Sequence, residues 1–313
     1  MSRVYSVDIN GGNQVVEDIK ESVQSTYTDK VVQQWGSFGG IFDVNFLKEY
    51  KHPLLVSSCD GTGSKILLSK KWNRLHDIGH DLVHHCINDI IVQGATPLFL
   101  LDTVSSAKLN IQDTVTVVKG VAEACKEHGV ALLGGETAEI KNLYQKDTIN
   151  LEGTIVGVVE KDELIDGKRN VVKGDVAMAL PSNNFHTNGY SLVNEYAEEY
   201  KGEDDLLTIH RCYLHEFQKV KKSKIPIHAM VHITGGGLIE NPKRVLPVGL
   251  QLHLEYLPVP KLFDWIQNVS RCPTDEMMKT FNMGVGFLFI IPPEQEDAFK
   301  EILPESFRMG IIK

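Results

Sequence analysis

The sequence predicts an α/β (α+β) fold with two domains. The chain has 313 residues, of which 42% are hydrophobic, and a single domain commonly holds about 100–200 residues. Its first half alternates strand-like apolar runs with amphipathic helical segments, whereas its second half mixes them in a less regular order. The charged stretch KDELIDGKRNVVKG, residues 161–174, lies between the halves and has little periodicity. We therefore expect an N-terminal sheet domain over residues 1–165 and a C-terminal α/β domain over residues 166–313.

In the N-terminal half, the apolar periodicity predicts three helices and four strands. The first helix, over residues 12–27, places four aliphatic side chains on one face. PLLVSSCDGTGSK then predicts a strand from Pro53 that runs into a glycine-rich turn. The remaining elements are helices at 77–93 and 111–128 and strands at 97–102, 130–139 and 151–161. Gly94 and Gly129 follow these two helices, as expected at helix ends.

The C-terminal half opens with a predicted strand, GDVAMALPS, at residues 174–182. The loop FHTNG and a helix at 190–200 follow, then a long polar helix and the loop HITGGG. Further along, VGLQLHLEYLP predicts a strand at 248–258, two short helices follow, and MGVGFLFIIPP predicts a strand at 283–293 before a last helix.

The overall composition limits the kinds of partner. The net charge is -9, and the densest basic stretch, KVKKSK at 219–224, is typical of a solvated helix end, so we expect no nucleic-acid partner. The five cysteines show no CxxC or metal-ligand spacing, which is typical of reduced thiols. The apolar runs are too short to span a bilayer, and MSRVYSVDINGG lacks the apolar core of a secretory signal. We expect a cytoplasmic protein that does not enter the membrane.

Asp89 lies at the margin of the apolar stripe of the helix at 77–93, not in the middle of its polar face. With Asn88 it interrupts an otherwise apolar stretch, CINDIIVQGATPLFLLD. A buried carboxylate without a partner is costly, and it usually finds a cation or loses its charge. A capping or ion-paired aspartate explains the pattern equally well, so both interpretations stay open.

The turn CDGTGSK combines Asp60, a carboxylate suited to a metal ion, with Lys65, a cation suited to phosphate. Gly61 and Gly63 allow a ligand to approach the backbone closely. The stretch does not match the P-loop pattern, which has GxxxxGK followed by Ser or Thr. Taken alone, it is explained more simply as a tight turn.

Two further carboxylates occupy comparable positions. Asp102 ends the strand PLFLLD, and Glu136 lies in GGETAE at the end of the next predicted strand. Ligands of α/β proteins tend to bind beyond the carboxyl ends of the strands. Together with Asp60 and Asp89 they predict a site for a hard cation, since oxygen ligation suits Mg²⁺ that bridges nucleotide phosphates.

Two glycine-containing loops stand out in the C-terminal half. His186 in FHTNG and His232 in HITGGG each adjoin glycines, whereas we predict no role for the other histidines considered, namely His84, His85, His228 and His253. Gly235, Gly236 and Gly237 precede a predicted helix, and free N–H groups at a helix start favour an anion. A sharp connection explains the triple glycine equally well.

Considered together, these stretches resemble the phosphoribosylformylglycinamidine cyclo-ligase (AIR synthetase) family, the ring-closing enzymes of purine synthesis. The specific matches are INDIIVQGATPLFLLD and HITGGGLIEN. The other matching stretches, in the family's order over nearly the whole chain, are VDINGGNQVVEDIK, LLVSSCDGTGSK, GHDLVHHC, ALLGGETAE, GVVEK, PSNNFHTNGYSLV and TFNMGVGF.

The resemblance implies a homodimer joined through its N-terminal sheets, with ATP and Mg²⁺ as cofactors. It implies conversion of formylglycinamidine ribonucleotide, a phosphorylated ribonucleotide, to aminoimidazole ribonucleotide. ATP would phosphorylate the formamide oxygen, and the amidine nitrogen would then attack the activated carbon and expel phosphate.

The resemblance also implies roles for individual residues. The catalytic residues would be Asp89, His186, His232 and Lys20, with a histidine moving a proton during ring closure. The cofactor-binding residues would be Gly11, Gly12, Lys20, Asp60, Gly61, Gly63, Lys65, Asn88, Gly235, Gly236 and Gly237, of which the triple glycine would lie on the substrate side with the His186 loop. The metal ligands would be Asp60, Asp89, Asp102 and Glu136.

One departure from the family and two rival functions remain. After GGETAE the chain reads IKNLYQKDTINLEG where a Met-Pro-Gly-Met-Tyr-like segment is usual, which leaves the substrate contacts near Glu136 open. A kinase of the same superfamily, such as thiamine monophosphate kinase, would share the acidic cluster but stop at phosphate transfer. A catalytically silent nucleotide-binding subunit would have no reason to keep buried charges. The FHTNG and HITGGG loops favour the cyclo-ligase.

Overall fold

The computed structural model describes residues 8–32 and 35–313. Residues 1–7 lie outside this range. They make up most of the segment MSRVYSVDINGG, which we expect not to be a secretory signal. The N-terminal strands are β1 (Pro53–Gly61), β2 (Thr96–Ser106), β3 (Ala131–Glu139) and β4 (Ile149–Glu160). Within the described residues they form one sheet in the order β1-β4-β2-β3. Because β1 and β2 are both antiparallel to β4, and β3 is parallel to β2, strands β1, β2 and β3 run in the same direction.

The helices of the N-terminal half are α1 (Ile9–Gln24), α2 (Lys65–Lys71), α3 (Leu75–Ile91) and α4 (Ile111–Glu127). Helices α3 and α4 pack side by side on one face of the sheet. A Cβ atom on Gly79 would overlap the backbone of α4, and one on Gly120 would overlap the carbonyl oxygen of His76. These two glycines therefore let the backbones of α3 and α4 touch.

The C-terminal half forms a second sheet, which is antiparallel throughout. Its strands are β5 (Val176–Pro181), β6 (Ala229–His232), β7 (Leu252–Leu254), β8 (Val285–Ile291) and β9 (Phe307–Ile312), in the order β6-β8-β5-β9-β7. Its helices are α5 (Gly167–Asn170), α6 (Tyr190–Tyr196), α7 (Leu214–Ser223), α8 (Gly237–Glu240), α9 (Lys261–Ser270), α10 (Thr274–Thr280) and α11 (Glu296–Ile302).

The two halves share one hydrophobic core. Leu82 and Ile90 of α3 belong to the same buried cluster as Met178 of β5 and Phe289 of β8. A second cluster, which includes Phe263, belongs mainly to the C-terminal half. Helix α3 is thus covered by protein on both sides, which explains why it is buried over most of its length.

The sequence between the two sheets runs from the end of β4 at Glu160 to the start of β5 at Val176. The expected division at residues 165 and 166 falls inside this connection, and it stays a prediction. Among the described residues, the helices lack the length and apolar character needed to cross a bilayer.

Several elements differ from the sequence-based expectation. The strand predicted over 248–258 is wrong in extent, since β7 is only a short edge strand confined between Pro247 and Pro258, and proline cannot donate to a ladder. Strands β6 and β9 and helix α2 were not predicted. Strand β9 pairs with β5, more than 100 residues earlier in the chain, and a local pattern does not reveal such a pairing.

Candidate active site

Helix α3 directs its polar side chains at a segment of the C-terminal half, residues 208–213, which we call the junction segment. Asp81 Oδ1 accepts a hydrogen bond from His210 N at 2.7 Å, and His84 Nδ1 lies 2.6 Å from His210 O. Asn88 donates to one carbonyl and accepts from one N–H of the segment, both at 2.8 Å. These side chains satisfy the buried backbone of the segment and hold it against the N-terminal half.

Lys65 is buried beneath this contact. Its Nζ donates to Asp81 Oδ1 and to Thr208 O, both at 2.8 Å, and neither Lys65 nor Asp81 has exposed side-chain surface. Burial lowers the pKa of Lys65 and raises the pKa of Asp81. The ammonium group already has a buried counter-ion, so its predicted contact with phosphate stays a prediction.

Asp89 lies where α3 meets the C-terminal sheet. Its Oδ1 is 2.9 Å from His232 Nδ1, and its Oδ2 accepts a hydrogen bond from Ser58 Oγ at 2.9 Å. Burial alone would raise the pKa of Asp89, but the hydrogen bond from His232 and the neighbouring His85 outweigh it and lower the pKa to about 2. Asp89 is therefore ionised, and it holds a His232 proton on Nδ1.

His85 joins the two carboxylates that the sequence placed in different elements. Its Nε2 lies 3.0 Å from Asp60 Oδ2 and 3.9 Å from Asp89 Oδ2, while its Nδ1 lies 2.8 Å from Thr187 Oγ1. Burial lowers the pKa of His85, but the two carboxylates outweigh this and raise it. Burial likewise opposes ionisation of Asp60, yet its close contact with His85 brings the pKa of Asp60 below the usual value.

Three histidines of the C-terminal half complete a cluster around these groups. His210 Nε2 and His232 Nε2 lie 3.1 Å apart, and the His186 ring stacks on His210 with centroids separated by 4.0 Å. Burial lowers the pKa of all three imidazoles, so they are neutral near pH 7. Neither ring nitrogen of His186 has a hydrogen-bond partner among the described residues. Both histidines selected from the sequence, His186 and His232, thus lie in one buried group with Asp89. We call this group the histidine cluster; its other members are His85, His210 and Thr187.

The other two predicted carboxylates lie elsewhere. Asp60 and Asp102 pair in register with the same residue, Gly153, from opposite sides, which places them two strands or about 10 Å apart. Leu82 packs against Gly153, the residue between them. Asp102 and Glu136 both line a cavity of about 450 Å³ between α1 and the sheet. The structure therefore brings Asp60 to Asp89, and Asp102 to Glu136, but does not gather the four carboxylates at one point.

Asp102 is an unusual carboxyl group. Burial raises its pKa to about 7, and its Oδ2 has no hydrogen-bond partner within the described part of the chain. A Cβ atom on Gly135 would overlap the carboxylate, so the glycine makes room for it. Such a group requires either a proton or a cation.

Of the residues on α1 that we predict to bind the nucleotide, namely Gly11, Gly12 and Lys20, only some line the same cavity. Gly12 lines it, whereas the N–H of Gly11 is already bonded to Asp8 Oδ1 at 2.9 Å. Lys20 is partly exposed and lies 3.8 Å from Glu17. Their contacts with a nucleotide stay predictions.

The remaining predicted residues form turns or internal contacts. Gly63 has a positive φ of 53°, and Gly61 lies close to the carbonyl of Leu151. Both polar atoms of Asn88 are engaged by the junction segment. The three glycines of HITGGG make a tight connection, because Gly236 and Gly237 have φ values of 99° and 54°. Helix α8 after them is a single turn, so the sharp-connection interpretation has the clearer structural support.

The sequence patterns gave no role to His85, included Thr187 only as a member of the FHTNG loop and did not single out His210, although all three belong to the histidine cluster. The position of His85, one helical turn before Asp89, is a signal that could have identified it. His210 lies in an irregular stretch without periodicity, and its neighbours in space come from residues 85, 88, 186 and 232.

Two family models, the N-terminal and C-terminal domains of AIR synthase related proteins, match residues 45–159 and 172–307. Proteins named phosphoribosylformylglycinamidine cyclo-ligase are similar along the chain. That of Neisseria meningitidis is 39% identical and covers 99% of this chain and 94% of its own. That of Picosynechococcus sp. is 41% identical and covers 91% and 88%.

Solved structures share the fold at low sequence identity. E. coli HypE is 15% identical with a TM-score of 0.72, covering 96% of this chain and 90% of its own. Thiamine-monophosphate kinase from Stenotrophomonas maltophilia is 15% identical with a TM-score of 0.69, covering 94% and 93%. A hydrogenase maturation protein HypE in complex with ATP is 16% identical with a TM-score of 0.70, covering 96% and 86%.

Proposed function

The chain belongs to the phosphoribosylformylglycinamidine cyclo-ligase family, and we propose that it uses ATP to convert formylglycinamidine ribonucleotide to aminoimidazole ribonucleotide. One observation carries this conclusion: relatives with that name are 38–41% identical over at least 91% of the chain. The reaction requires phosphorylation of the formamide oxygen, attack by the amidine nitrogen on the activated carbon, and release of phosphate with ADP as the other product.

The histidine cluster supports a proton-transfer role in ring closure. The nitrogen that closes the ring must lose a proton, and a neutral imidazole near pH 7 accepts one. Asp89 keeps the His232 proton on Nδ1, which leaves Nε2 as the basic nitrogen. His186 is the other candidate, because both of its ring nitrogens lack hydrogen-bond partners among the described residues. If His186→Ala and His232→Ala both retain near-normal turnover, neither histidine has this role.

We propose the cavity beside α1 as the binding site for ATP and Mg²⁺. Its lining includes Gly12 and the carboxylates Asp102 and Glu136. The unpaired Oδ2 of Asp102 fits a cation, and carboxylate oxygens are the donors that Mg²⁺ prefers. Bound there, Mg²⁺ would neutralise charge on the phosphates. A related fold that was solved with ATP supports the choice of nucleotide.

An assay with purified protein tests the proposed function. The protein is incubated with formylglycinamidine ribonucleotide, ATP and Mg²⁺, and aminoimidazole ribonucleotide and ADP are measured together. We expect the two products in equal amounts. In a second incubation, thiamine monophosphate replaces the ribonucleotide. ADP formation with phosphorylation of thiamine monophosphate there, and no ring closure in the first incubation, would indicate the kinase instead. ATP binding without any turnover would indicate a silent subunit.

We also propose a homodimer joined through the N-terminal sheets. Helices α3 and α4 cover one face of the sheet, whereas Leu55 and Leu101 are 64% and 38% exposed. Leu101 neighbours the inward-facing Asp102, so it projects from the opposite face. Sedimentation equilibrium should show a dimer, and Leu101→Glu should shift it to monomer. A wild-type monomer at micromolar concentration would contradict the proposal.

A further inference from the structure

Helices α3 and α4 carry a group of imidazoles and carboxylates outside the histidine cluster. His76, His80 and His84 occupy three successive turns of α3, and their neighbouring ring centroids lie 5.5 and 5.8 Å apart. Glu123 and Glu127 occupy two successive turns of α4 on the facing side. The glycine contact between the two helices brings these rows close together.

Two overlapping sets of three in this group have the spacing of metal ligands, namely His76, His80 and Glu123, and His80, His84 and Glu127. The second set is the stronger candidate, because it includes a buried nitrogen, His84 Nε2, without a hydrogen-bond partner among the described residues. One ligand atom from each of His80, His84 and Glu127 lies within 4.8 Å of the others, and His80 Nδ1 is 3.8 Å from Glu127 Oε2. A common ion lies about 2.0–2.2 Å from each ligand atom, so binding requires side-chain rotations that bring these atoms closer together. Glu127 is half exposed and is free to make them.

A backbone carbonyl fixes the tautomer of His84. Its Nδ1 lies 2.6 Å from His210 O, and a carbonyl oxygen only accepts, so Nδ1 carries the hydrogen. Nε2 therefore bears the lone pair, and it is buried without a hydrogen-bond partner among the described residues. A backbone carbonyl that fixes the tautomer of a histidine is the usual support of a metal-ligating imidazole. Burial also lowers the pKa of His84 to about 3, so the ring is neutral near pH 7.

A second imidazole with an unpaired nitrogen lies beside His84. The ring of His128 lies 4.9 Å from that of His84, centroid to centroid, and its Nε2 is also buried without a partner within the described ranges. Two orphaned imidazole nitrogens at one place are costly unless something binds them.

We propose that His80, His84 and Glu127 form a binding site for one divalent transition-metal ion of the Zn²⁺ class, separate from the proposed catalytic site. Two imidazoles and one carboxylate are a ligand set that zinc proteins use, and imidazole nitrogen favours Zn²⁺ over Mg²⁺. The ion would link α3 to α4. Because His84 Nδ1 donates to the junction segment, an occupied site would also hold that segment more firmly.

Calorimetric titration of the metal-free, full-length protein with Zn²⁺ in excess Mg²⁺ tests this site. We expect one Zn²⁺ per chain and a rise in the melting temperature on binding. Glu127→Gln and His80→Asn should each weaken Zn²⁺ binding by about tenfold or more. The matched control Glu123→Gln, one turn earlier on α4, should bind as the wild type does. Substitution with Co²⁺ should give tetrahedral absorption bands without a thiolate charge-transfer band, which excludes the cysteines.

Three outcomes would overturn the proposal. Unchanged affinity in both Glu127→Gln and His80→Asn would show that the ion binds elsewhere. Loss of binding in His232→Ala with full binding in Glu127→Gln would place it in the histidine cluster. Loss of binding in Glu123→Gln with full binding in Glu127→Gln would place it one turn earlier, with His76. Melting curves recorded without metal establish that each variant is folded, and Glu127→Gln changes only an exposed side chain.

Discussion

Asp89 is the residue whose charge organises the histidine cluster, since it accepts from both His232 and Ser58. Asp89→Asn keeps the size of the side chain but removes the charge that fixes the His232 proton on Nδ1. We expect kcat to fall by about 10²–10⁴-fold, the range for loss of acid–base assistance. Turnover and melting temperature should be measured together. Ser58→Ala, which removes only the neutral donor, should retain most activity. Near-normal turnover of a folded Asp89→Asn protein would contradict the assignment.

Asp102 makes the stability of the ligand-free protein depend on pH. Its pKa rises from the usual 3.8 to about 7, so the native state holds a proton that the unfolded chain releases. This contribution to stability is complete below about pH 4 and is lost as the pH rises through 7. Its upper limit is about 4 kcal/mol, at 1.36 kcal/mol for each unit.

Urea unfolding at pH 5, 6, 7 and 8 of the wild type and of Asp102→Asn isolates this effect. Asparagine has the same shape but does not titrate, so other groups cancel in the difference between the two proteins. We expect the stability of the wild type to fall relative to the variant as the pH rises. Parallel curves would mean that Asp102 is ionised in the native state throughout this range.

At the scale of single elements, the contact between α3 and α4 depends on two small residues. A Cβ atom on Gly120 would overlap the carbonyl of His76, which is backbone and cannot rotate away. Gly120→Ala should therefore separate the helices and lower the free energy of unfolding by about 3 kcal/mol, at the upper end of overpacking effects. Gly12→Ala in α1 is the control, because a Cβ there meets nothing within 4 Å. Denaturant unfolding of both variants distinguishes a steric effect from helix propensity, and equal stabilities would contradict the close contact.

For the whole molecule, local patterns predicted most elements, and long-range pairing explains why strand β9 was missed. The helix expected at 111–128 is Ile111–Glu127, because its apolar period and its terminal glycine are properties of neighbouring residues. Strand β9 and the junction segment depend on partners far away in the sequence. The convergence of Asp60 with Asp89 followed from their positions, but His85 between them did not. The sequence shows which residues are acidic, but the residues that pair with them, such as His85, are identified only in the folded structure.

The packing of both halves on α3 predicts that the molecule unfolds as one unit. Asn88 is the central link, since it bonds to the carbonyl of Arg211 and the N–H of Tyr213. Asn88→Ala leaves both buried groups unsatisfied, and we expect it to lower the free energy of unfolding by about 2–6 kcal/mol, at about 1–3 kcal/mol for each group. It should also separate the unfolding of the halves.

Far-ultraviolet circular dichroism follows the secondary structure of both halves, whereas the fluorescence of Trp265, in a Trp35→Phe and Trp72→Phe background, follows the C-terminal half alone. The two probes should coincide for the wild type and diverge for Asn88→Ala. Asn150→Ala, which removes a surface bond to Glu152, should leave them coincident. Coincident transitions in Asn88→Ala at the wild-type midpoint would show that the shared apolar core alone couples the halves, because the hydrogen bonds of Asn88 would then add nothing to the cooperativity.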